Sequence, residues 1–444
     1  MEVERSPYLR DLLAEKLADS IAALPAFGTP RRVTGAVALP GKATAVIGPR
    51  RAGKTTFLHQ IRARRHQQGI PLERLPYINF EDERLAGIQA GDLHLLIEEY
   101  YRRFPKLRGR ERVTWCFDEI QVVPGWEQFA RRLLDSELVE IFVSGSSAAL
   151  LSREVATSMR GRGWEVVVHP FSFAEYLTHH GHEVPQIGGG ITSSKRSELE
   201  NALLQYLEVG GFPEVQGLEP DTRHELLRQY IDVVMLRDVA ERHGVSNLTG
   251  LRWLVRHLLA NPSAMFSVEK FHGGLKSQGI AIARDTVHQL VGFLEDCFLV
   301  RTCWIETGSE RRRMVNPRKI YPVDPGFIPV FDRTGKANRG PRLETVVRVE
   351  LERRRMETRY VRTSRGHEVD FLAHPPTGGP PMLIQVSAEL DDPATREREV
   401  RALLEAAQEY PRASLHMVTL TPESAVGVPE TVNVHSAALW LLGL

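Results

Sequence analysis

The sequence predicts an α/β fold built on a parallel sheet. Strand-like and helix-like segments alternate between residues 36 and 180, which is the pattern of β-α-β units. A glycine-rich turn at residues 48–55 joins the first apolar strand to an amphipathic helix. Helical periodicity then dominates residues 197–260. The length of 444 residues allows about two to four domains, since one domain commonly takes about 100–200 residues.

The remaining elements follow from local patterns. Residues 1–35 predict an amphipathic helix and a loop, and residues 182–196 predict a linker because they are rich in glycine and polar side chains. The stretch from 340 to the end predicts a helix, strands, a helix and a strand. The five predicted strands of the parallel sheet lie in the segments ATAVI, LPYINFED, VTWCFDEI, EIFVSGSS and WEVVVHPFSF.

Composition limits the class of protein. Hydrophobic residues make up 42% and charged residues 25% of the chain, as in ordinary globular proteins. No run of about 18 apolar residues occurs, so we expect no membrane span. The charged N-terminus lacks the apolar core of a signal peptide. The cysteines, Cys116, Cys297 and Cys303, show no metal-ligand spacing, and they favour a reducing cytoplasm over a disulfide framework.

Charge gives little information about partners. The formal net charge is +1, so charge alone does not indicate nucleic-acid binding. Arginine clusters occur at 311–313 and 353–355. Each cluster is more typical of a solvated face than of a track that contacts phosphates.

The glycine-rich turn fits the pattern G-x-x-x-x-G-K-[ST] without departure. Gly48 and Gly53 let the backbone curl so that N–H groups point at phosphate oxygens. Lys54 then reaches the terminal phosphates, and Thr55 offers a hydroxyl to Mg²⁺. The alternative is a chance glycine turn, which the flanking strand and helix disfavour. The predicted ATP-binding residues are Gly48, Pro49, Arg50, Arg51, Ala52, Gly53, Lys54, Thr55 and Thr56.

An acidic pair follows the third predicted strand. Asp118 at this position of a phosphate-binding ATPase holds Mg²⁺ together with Thr55, and the adjacent Glu119 can accept a proton from the attacking water. The alternative is a surface acidic pair at a strand end. The catalytic interpretation is favoured because the acidic pair follows a phosphate-binding turn in the sequence and ends a strand at the edge where parallel α/β sheets bind ligands.

Two further groups are candidates for sensing and stabilising the γ-phosphate. The fourth strand ends in a serine-rich turn, where Ser146, or else Ser144, would sense the phosphate; helix capping by Ser146 or Ser147 is an equally good explanation. Arg160 and Arg162 follow, and either one would stabilise transition-state charge in a neighbouring subunit. The alternative for each arginine is an ion pair within its own subunit.

Taken together, these segments resemble the AAA+ ATPases of the archaeal-ATPase type that carry a restriction-endonuclease-like C-terminal domain. The resemblance implies a homo-oligomeric ring, expected to be a hexamer, with an ATPase core at 36–180, a helical lid at 181–262, a winged helix at 263–335 and a nuclease-like domain at 336–444. The matching segments are GPRRAGKTTFL, YINFEDERL, CFDEIQVVPGWEQFARRL, FVSGSSAALLSRE, MRGRG, HPFSFAEYL, GGFPEV, YIDVVMLRDV, LETVVRVEL and HEVDFLA with LIQVS.

The middle of the chain has the element order of a winged helix. Two short helices joined by a turn precede strand-like residues and the sequence RRRMVNPRK. The second helix would then be the recognition helix. A winged helix used only for packing or assembly is the alternative. The residues that would face DNA are Arg284, Thr286, His288 and Gln289.

The terminal segment contains Glu344, Asp370 and Gln385. In restriction-like nucleases, carboxylates at the second and third of these places hold Mg²⁺, and a lysine two residues later assists the water. Here Gln385 brings no charge, and Ser387 replaces the lysine, which removes the cationic group. Glu344 or Glu389 would have to complete a metal site with Asp370. A nuclease fold retained for binding is therefore favoured over an active one.

These observations leave three functions open. The first is an ATP-driven oligomer that binds DNA and remodels it or moves along it. The second is a nucleotide-gated switch that controls a partner protein. The third is an ATP-controlled DNA nuclease.

Overall fold

A computed structural model describes residues 2–25, 28–145, 159, 161–186, 188–332 and 338–444, with side chains described from residue 7 onward. The chain divides into two compact units, Met1–Val168 and His169–Leu444. Within the described residues, no helix has both the length and the apolarity needed to cross a membrane. The boundary lies inside the predicted 36–180 segment because the chain after Val168 joins the following helices: the Phe171 N–H donates to the Gly211 carbonyl at 2.6 Å.

The described strands of the first unit form a five-stranded sheet in the order β2-β3-β4-β1-β5. Every pairing in it is parallel. The predicted α/β class with a parallel sheet is therefore confirmed. The strands are β1 (Ala43–Ile47), β2 (Tyr77–Asn79), β3 (Val113–Asp118), β4 (Val139–Ser144) and β5 (Gly163–Val167).

Helices cover this sheet. All residues of β1 and β3 are buried, which is expected of parallel strands with both faces covered. Phe57 and Leu58 pack into a core with Cys116 and Phe142. The helices of the first unit are α1 (Glu2–Ala22), α2 (Lys54–Gln67), α3 (Leu93–Arg103) and α4 (Trp126–Ser136).

The second unit begins with helices, as the periodicity predicts. The first of them starts with a capping box in which Ser172 and Glu175 satisfy each other's backbone N–H groups. The helices are α5 (Phe173–His179), α6 (Ser193–Val209), α7 (Pro220–Val233), a π-helix (Val234–Glu241) and α8 (Leu248–Ala260).

Two helices and a β-hairpin follow. Strand β8 pairs antiparallel with β7 and with the short β6. This is the element order expected for residues 263–335, and the assignment as a winged helix stays a prediction. The elements are β6 (Met265–Phe266), α9 (Val268–Ser277), α10 (Arg284–Asp296), β7 (Val300–Ile305), α11 (Glu310–Val315) and β8 (Arg318–Pro322).

The hairpin continues into the sheet of the terminal segment. Strand β7 pairs in parallel with β9, with Trp304 opposite Arg359, so the described strands form one sheet in the order β13-β12-β11-β10-β9-β7-β8-β6. The predicted 263–335 and 336–444 segments therefore share a sheet. The remaining elements are α12 (Ile328–Phe331), α13 (Arg339–Arg353), β9 (Glu357–Arg362), β10 (Glu368–His374), β11 (Met382–Ser387), α14 (Pro393–Glu409), β12 (Ser414–Thr419), β13 (Val432–Ser436) and α15 (Ala437–Leu442).

Candidate active site

The turn between β1 and α2 needs its glycines. Gly48 has a φ of 147°, and a Cβ there would lie 2.1 Å from the Val168 carbonyl oxygen. Gly53 has a φ of 93°, in the left-handed region that favours glycine. The backbone can take this course only with glycine at position 48, because the atom in the way belongs to the backbone.

Lys54 lies inside the curve of this turn. Its side chain is buried, and Nζ donates to the carbonyl oxygens of Gly48 at 3.2 Å and Pro49 at 3.0 Å. Arg31 braces the turn from outside, since its guanidinium donates to the Ala52 carbonyl at 2.5 Å. The turn thus combines a cation, a helix N-terminus and curled backbone, which together favour an anion. Nothing in the local pattern around Arg31 indicated this role.

Asp118 ends β3 and is 1% exposed. Among the described residues, three hydroxyl groups donate to its carboxylate. The hydroxyls of Thr55 and Tyr77 both reach Oδ2, each at 2.7 Å, and that of Ser144 reaches Oδ1. The hydroxyl of Thr55 and the carboxylate of Asp118 are hard oxygen donors in direct contact, so this donor set fits Mg²⁺.

Glu119 follows with a left-handed backbone, at a φ of 52°. Its N–H donates to Ser144 Oγ at 3.0 Å, and Gln121 donates to its carboxylate. Burial raises the pKa of Glu119, while the positive charge of Lys54 acts against that rise. A raised pKa makes the carboxylate a better proton acceptor near neutral pH.

Ser144 therefore connects the two acids. Its hydroxyl donates to Asp118 and accepts from the Glu119 N–H. Ser144, the second candidate for the γ-phosphate sensor, therefore contacts both acids of the pair. Ser146 and Arg160 lie outside the described residues. Arg162 pairs with Asp135 of the same chain, which is the contact expected if it is an intrasubunit ion pair.

Comparison with known proteins identifies the fold of this site. The model of a family described as AAA domain matches residues 40–177, and a domain of unknown function matches residues 200–336. The uncharacterized protein MJ1544 of Methanocaldococcus jannaschii is 31% identical over 388 residues, which cover 86% of this chain and 82% of that protein. An uncharacterized protein of Haemophilus influenzae is 30% identical over 74% of this chain and 78% of its own length.

The chain belongs to the family of these two proteins. Its AAA domain contains the turn, the acidic pair and Ser144 described above. Among solved structures, the Walker-type ATPase PABY2304 of Pyrococcus abyssi aligns with 72% of this chain and 95% of its own, at 16% identity and a TM-score of 0.39. That score is too low to support an argument about function.

Outside the AAA domain, the second unit brings the predicted nuclease-like residues together. Lys319 on β8 is 3% exposed. Its Nζ lies 2.9 Å from Glu344 Oε1, 2.7 Å from Asp370 Oδ1 and 2.7 Å from Glu368 Oε1. The backbone N–H of Asp370 donates to the side-chain oxygen Oε1 of Gln385 at 3.3 Å. We call Lys319, Glu344, Glu368, Asp370 and Gln385 the Lys319 cluster.

The Lys319 cluster corrects one sequence-based expectation. Replacement of the lysine by Ser387 does not leave the site without a cation, because Lys319 enters it from another strand. Burial alone would lower the pKa of Lys319, but Asp370 and its other acidic neighbours hold that pKa well above its usual value. Burial and Asp370 raise the pKa of Glu344. Among the described residues, no group of three or more His, Cys, Asp or Glu side chains is arranged to hold a metal ion.

Glu389 does not join this cluster. It is exposed and lies 3.4 Å from Arg339, while the Ser387 hydroxyl donates to the Glu389 carbonyl at 2.9 Å. Of the two carboxylates proposed to assist Asp370, Glu344 is therefore the one that folding brings close.

The residues expected to face DNA lie at the surface of α10. Arg284 is exposed and pairs with Glu269 at 2.8 Å, and His288 and Gln289 are also exposed, whereas Thr286 is partly buried. Arg311 and Arg312 are exposed on α11. They lie beside Met314 and Val315, which are 73% and 75% exposed.

The other arginine cluster has a structural role. Arg354 donates to Glu350 at 2.9 Å and lies over the ring of Trp440 at 4.2 Å. Arg353 donates to the Pro170 carbonyl at 2.5 Å.

Proposed function

We propose that the AAA domain binds ATP with Mg²⁺ and hydrolyses it. The observation that carries this proposal is the contact between the Thr55 hydroxyl and Asp118 at 2.7 Å, directly beside Glu119 and the turn that encloses Lys54. A cation at the phosphates, a hard oxygen pair and a partly buried base are the groups that phosphoryl transfer to water requires.

Each side chain then has a distinct task. Lys54 binds the terminal phosphates. To do so, its ammonium leaves the backbone carbonyls of Gly48 and Pro49 and contacts the substrate instead. Thr55 and Asp118 would hold Mg²⁺, which neutralises phosphate charge when bound. Glu119 accepts the proton of the attacking water. Ser144 keeps the two acids in a fixed relation, and Ser146 is the proposed sensor of the γ-phosphate.

The decisive experiment replaces Lys54 by alanine. We expect Lys54→Ala to lose most ATP turnover and to bind ATP more weakly, because the phosphates lose their cation. Lys106→Ala is a matched control, since this lysine of the first unit is exposed. Turnover is measured by phosphate release. Near wild-type turnover in Lys54→Ala would refute the proposal.

We propose further that the protein is a homo-oligomeric ring, a hexamer, that binds DNA and remodels it or moves along it. The exposed arginines of α10 and α11 support DNA binding, because phosphates are contacted by accessible cations. ATP turnover is measured with single-stranded, duplex and branched DNA. Electron microscopy of the ATP-bound particle tests the ring.

Salt dependence separates this function from the switch. The logarithm of DNA affinity falls with the logarithm of salt concentration, and each lost phosphate contact makes this fall less steep by about 0.9. We expect Arg311→Ala with Arg312→Ala to reduce the steepness by about two such steps. A slope near zero in the wild type, without stimulation of turnover by DNA, would leave the nucleotide-gated switch.

The Lys319 cluster bears on the nuclease alternative. Lys319 supplies an ammonium, yet the same ammonium pairs with all three carboxylates of the cluster. We therefore expect weak or absent cleavage of DNA with Mg²⁺ or Mn²⁺. Robust cleavage that disappears in Asp370→Ala would instead establish the nuclease.

A further inference from the structure

Tyr77 reaches the acidic pair from the neighbouring strand. It begins β2, which pairs in parallel with β3, and it lies opposite Cys116 in the register. Its hydroxyl donates to Asp118 Oδ2 at 2.7 Å. The phenol O–H is the donor in this hydrogen bond, and the carboxylate oxygen is the acceptor. Tyr77 is distant in sequence from the phosphate-binding turn, and although it begins the matching segment YINFEDERL, the sequence assigned it no role.

The ring of Tyr77 is held in place on its other side. The imidazole of His59 on α2 packs against it with centroids 4.4 Å apart, and the Arg62 guanidinium lies 5.6 Å from its centroid. Arg62 is 1% exposed and donates to the Leu75 carbonyl at 2.8 Å. The hydroxyl of Tyr77 therefore has little freedom to leave Asp118.

The Asp118 carboxylate is thereby fixed from three elements. Ser144 on β4 holds Oδ1, while Tyr77 on β2 and Thr55 on α2 hold Oδ2. Thr55 is itself an expected ligand of Mg²⁺, so its hydroxyl is part of the metal site. Tyr77 and Ser144 are the partners that can orient the carboxylate plane from outside that site.

We propose that Tyr77 is a positioning residue that orients Asp118 for Mg²⁺, and so sets the Mg²⁺ concentration at which ATP binds tightly. This inference rests on the proposed ATPase function. Groups that orient a metal ligand by hydrogen bonding change metal affinity by about 10–100-fold when they are removed. A carboxylate that must first be reoriented binds the ion less well.

Tyr77→Phe tests this inference because it removes the hydroxyl and keeps the ring against His59. Tyr100→Phe is the matched control: its hydroxyl is also in the first unit and donates at 2.7 Å, but to the Glu73 carbonyl. If the Tyr77 hydroxyl only supported the local structure, Tyr77→Phe and Tyr100→Phe would show the same dependence of nucleotide affinity on Mg²⁺.

The measurement is the affinity of the full-length protein for a fluorescent ATP analogue, first in EDTA and then over a Mg²⁺ titration. In Tyr77→Phe we expect unchanged affinity in EDTA, which also shows that the variant is folded. The Mg²⁺ concentration at half-maximal tightening should rise by about tenfold or more. Tyr100→Phe should follow the wild type in both conditions.

Two outcomes overturn the inference, and they differ. If the wild type tightens with Mg²⁺ and Tyr77→Phe titrates identically, Tyr77 does not position Asp118, while the ATPase proposal stands. If the wild type binds the analogue equally with and without Mg²⁺ and releases no phosphate from ATP, the ATPase proposal itself fails.

Discussion

At the scale of single residues, the two acids have separable roles, since Asp118 is proposed to bind Mg²⁺ and Glu119 to accept a proton during hydrolysis. We expect Glu119→Gln to bind ATP with Mg²⁺ normally but to hydrolyse it at least about 100-fold more slowly, since the amide cannot take a proton from water. Glu83→Gln, at an exposed acid of the first unit, should keep wild-type turnover. Turnover and nucleotide affinity are measured on the same preparations. Equal loss of both in Glu119→Gln would show a structural role.

Lys319 gives the second residue-scale prediction. Lys319→Met keeps an unbranched side chain as far as Cε but leaves Asp370, Glu344 and Glu368 without their ammonium. Removal of one partner from a buried ion pair costs about 3–5 kcal/mol, so we expect a loss of this size in the free energy of unfolding in urea.

The double variant Lys319→Met with Asp370→Asn distinguishes charge from packing. It should recover part of the loss, because one of the buried charges is then gone. No recovery would mean that the methionine packs badly and that the charge is unimportant.

The residues found from sequence and those missed differ in one physical respect. Lys54 and Thr55 share a continuous turn, so spacing alone identifies them. Tyr77 is 41 residues from Asp118, and Lys319 is 51 residues from Asp370. Only the pairing of strands brings such residues together, and a single sequence carries no record of that pairing.

At the scale of elements, the link between α6 and the loop after β8 depends on a glycine pair. A Cβ on Gly211 would lie 2.3 Å from the Phe171 carbonyl oxygen, and one on Gly210 would lie 1.9 Å from Asp324 Oδ1. Asp324 accepts the N–H groups of Gly211 at 2.7 Å and Gly326 at 2.9 Å. The glycines permit the close approach that these hydrogen bonds need.

We therefore expect Gly211→Ala to destabilise the protein by about 1–3 kcal/mol, the usual cost of overpacking. Gly273→Ala on α9 is the control, because open space surrounds that position. It should be neutral or stabilising by about 0.5–1 kcal/mol, since alanine loses less backbone entropy than glycine. Thermal unfolding of both variants measures the difference, and equal effects would contradict the argument.

Elements also show where sequence reasoning ends. Hydrophobic periodicity and turn-forming residues predicted the five strands of the first unit. Strand β5 ends at Val167 because the following residues lead into α5. The shared sheet of the second unit was not predicted. Its deciding contact is the pairing of Trp304 with Arg359, which depends on tertiary packing and leaves no local pattern.

At the scale of the whole molecule, the open question is whether one subunit completes the site of another. Arg162 is 44% exposed at its side chain and pairs with Asp135, which is 58% exposed. An exposed pair of this kind contributes only about 0–1 kcal/mol, so Arg162 can leave Asp135 at little cost. The observed contact is therefore compatible with a role in a neighbouring subunit.

Matched variants separate the two roles of Arg162. We expect Arg162→Ala to bind ATP normally and to lose turnover, by about 1000-fold if this arginine stabilises transition-state charge in the neighbouring subunit. Asp135→Asn removes the same ion pair but leaves the guanidinium, so it should keep turnover. Mixing Arg162→Ala with Lys54→Ala subunits should restore activity in part, because an intact arginine then faces an intact turn. If both variants lose turnover alike and no mixture recovers, Arg162 acts within its own chain, and the same mixing experiment on Arg160 becomes the test of a shared site.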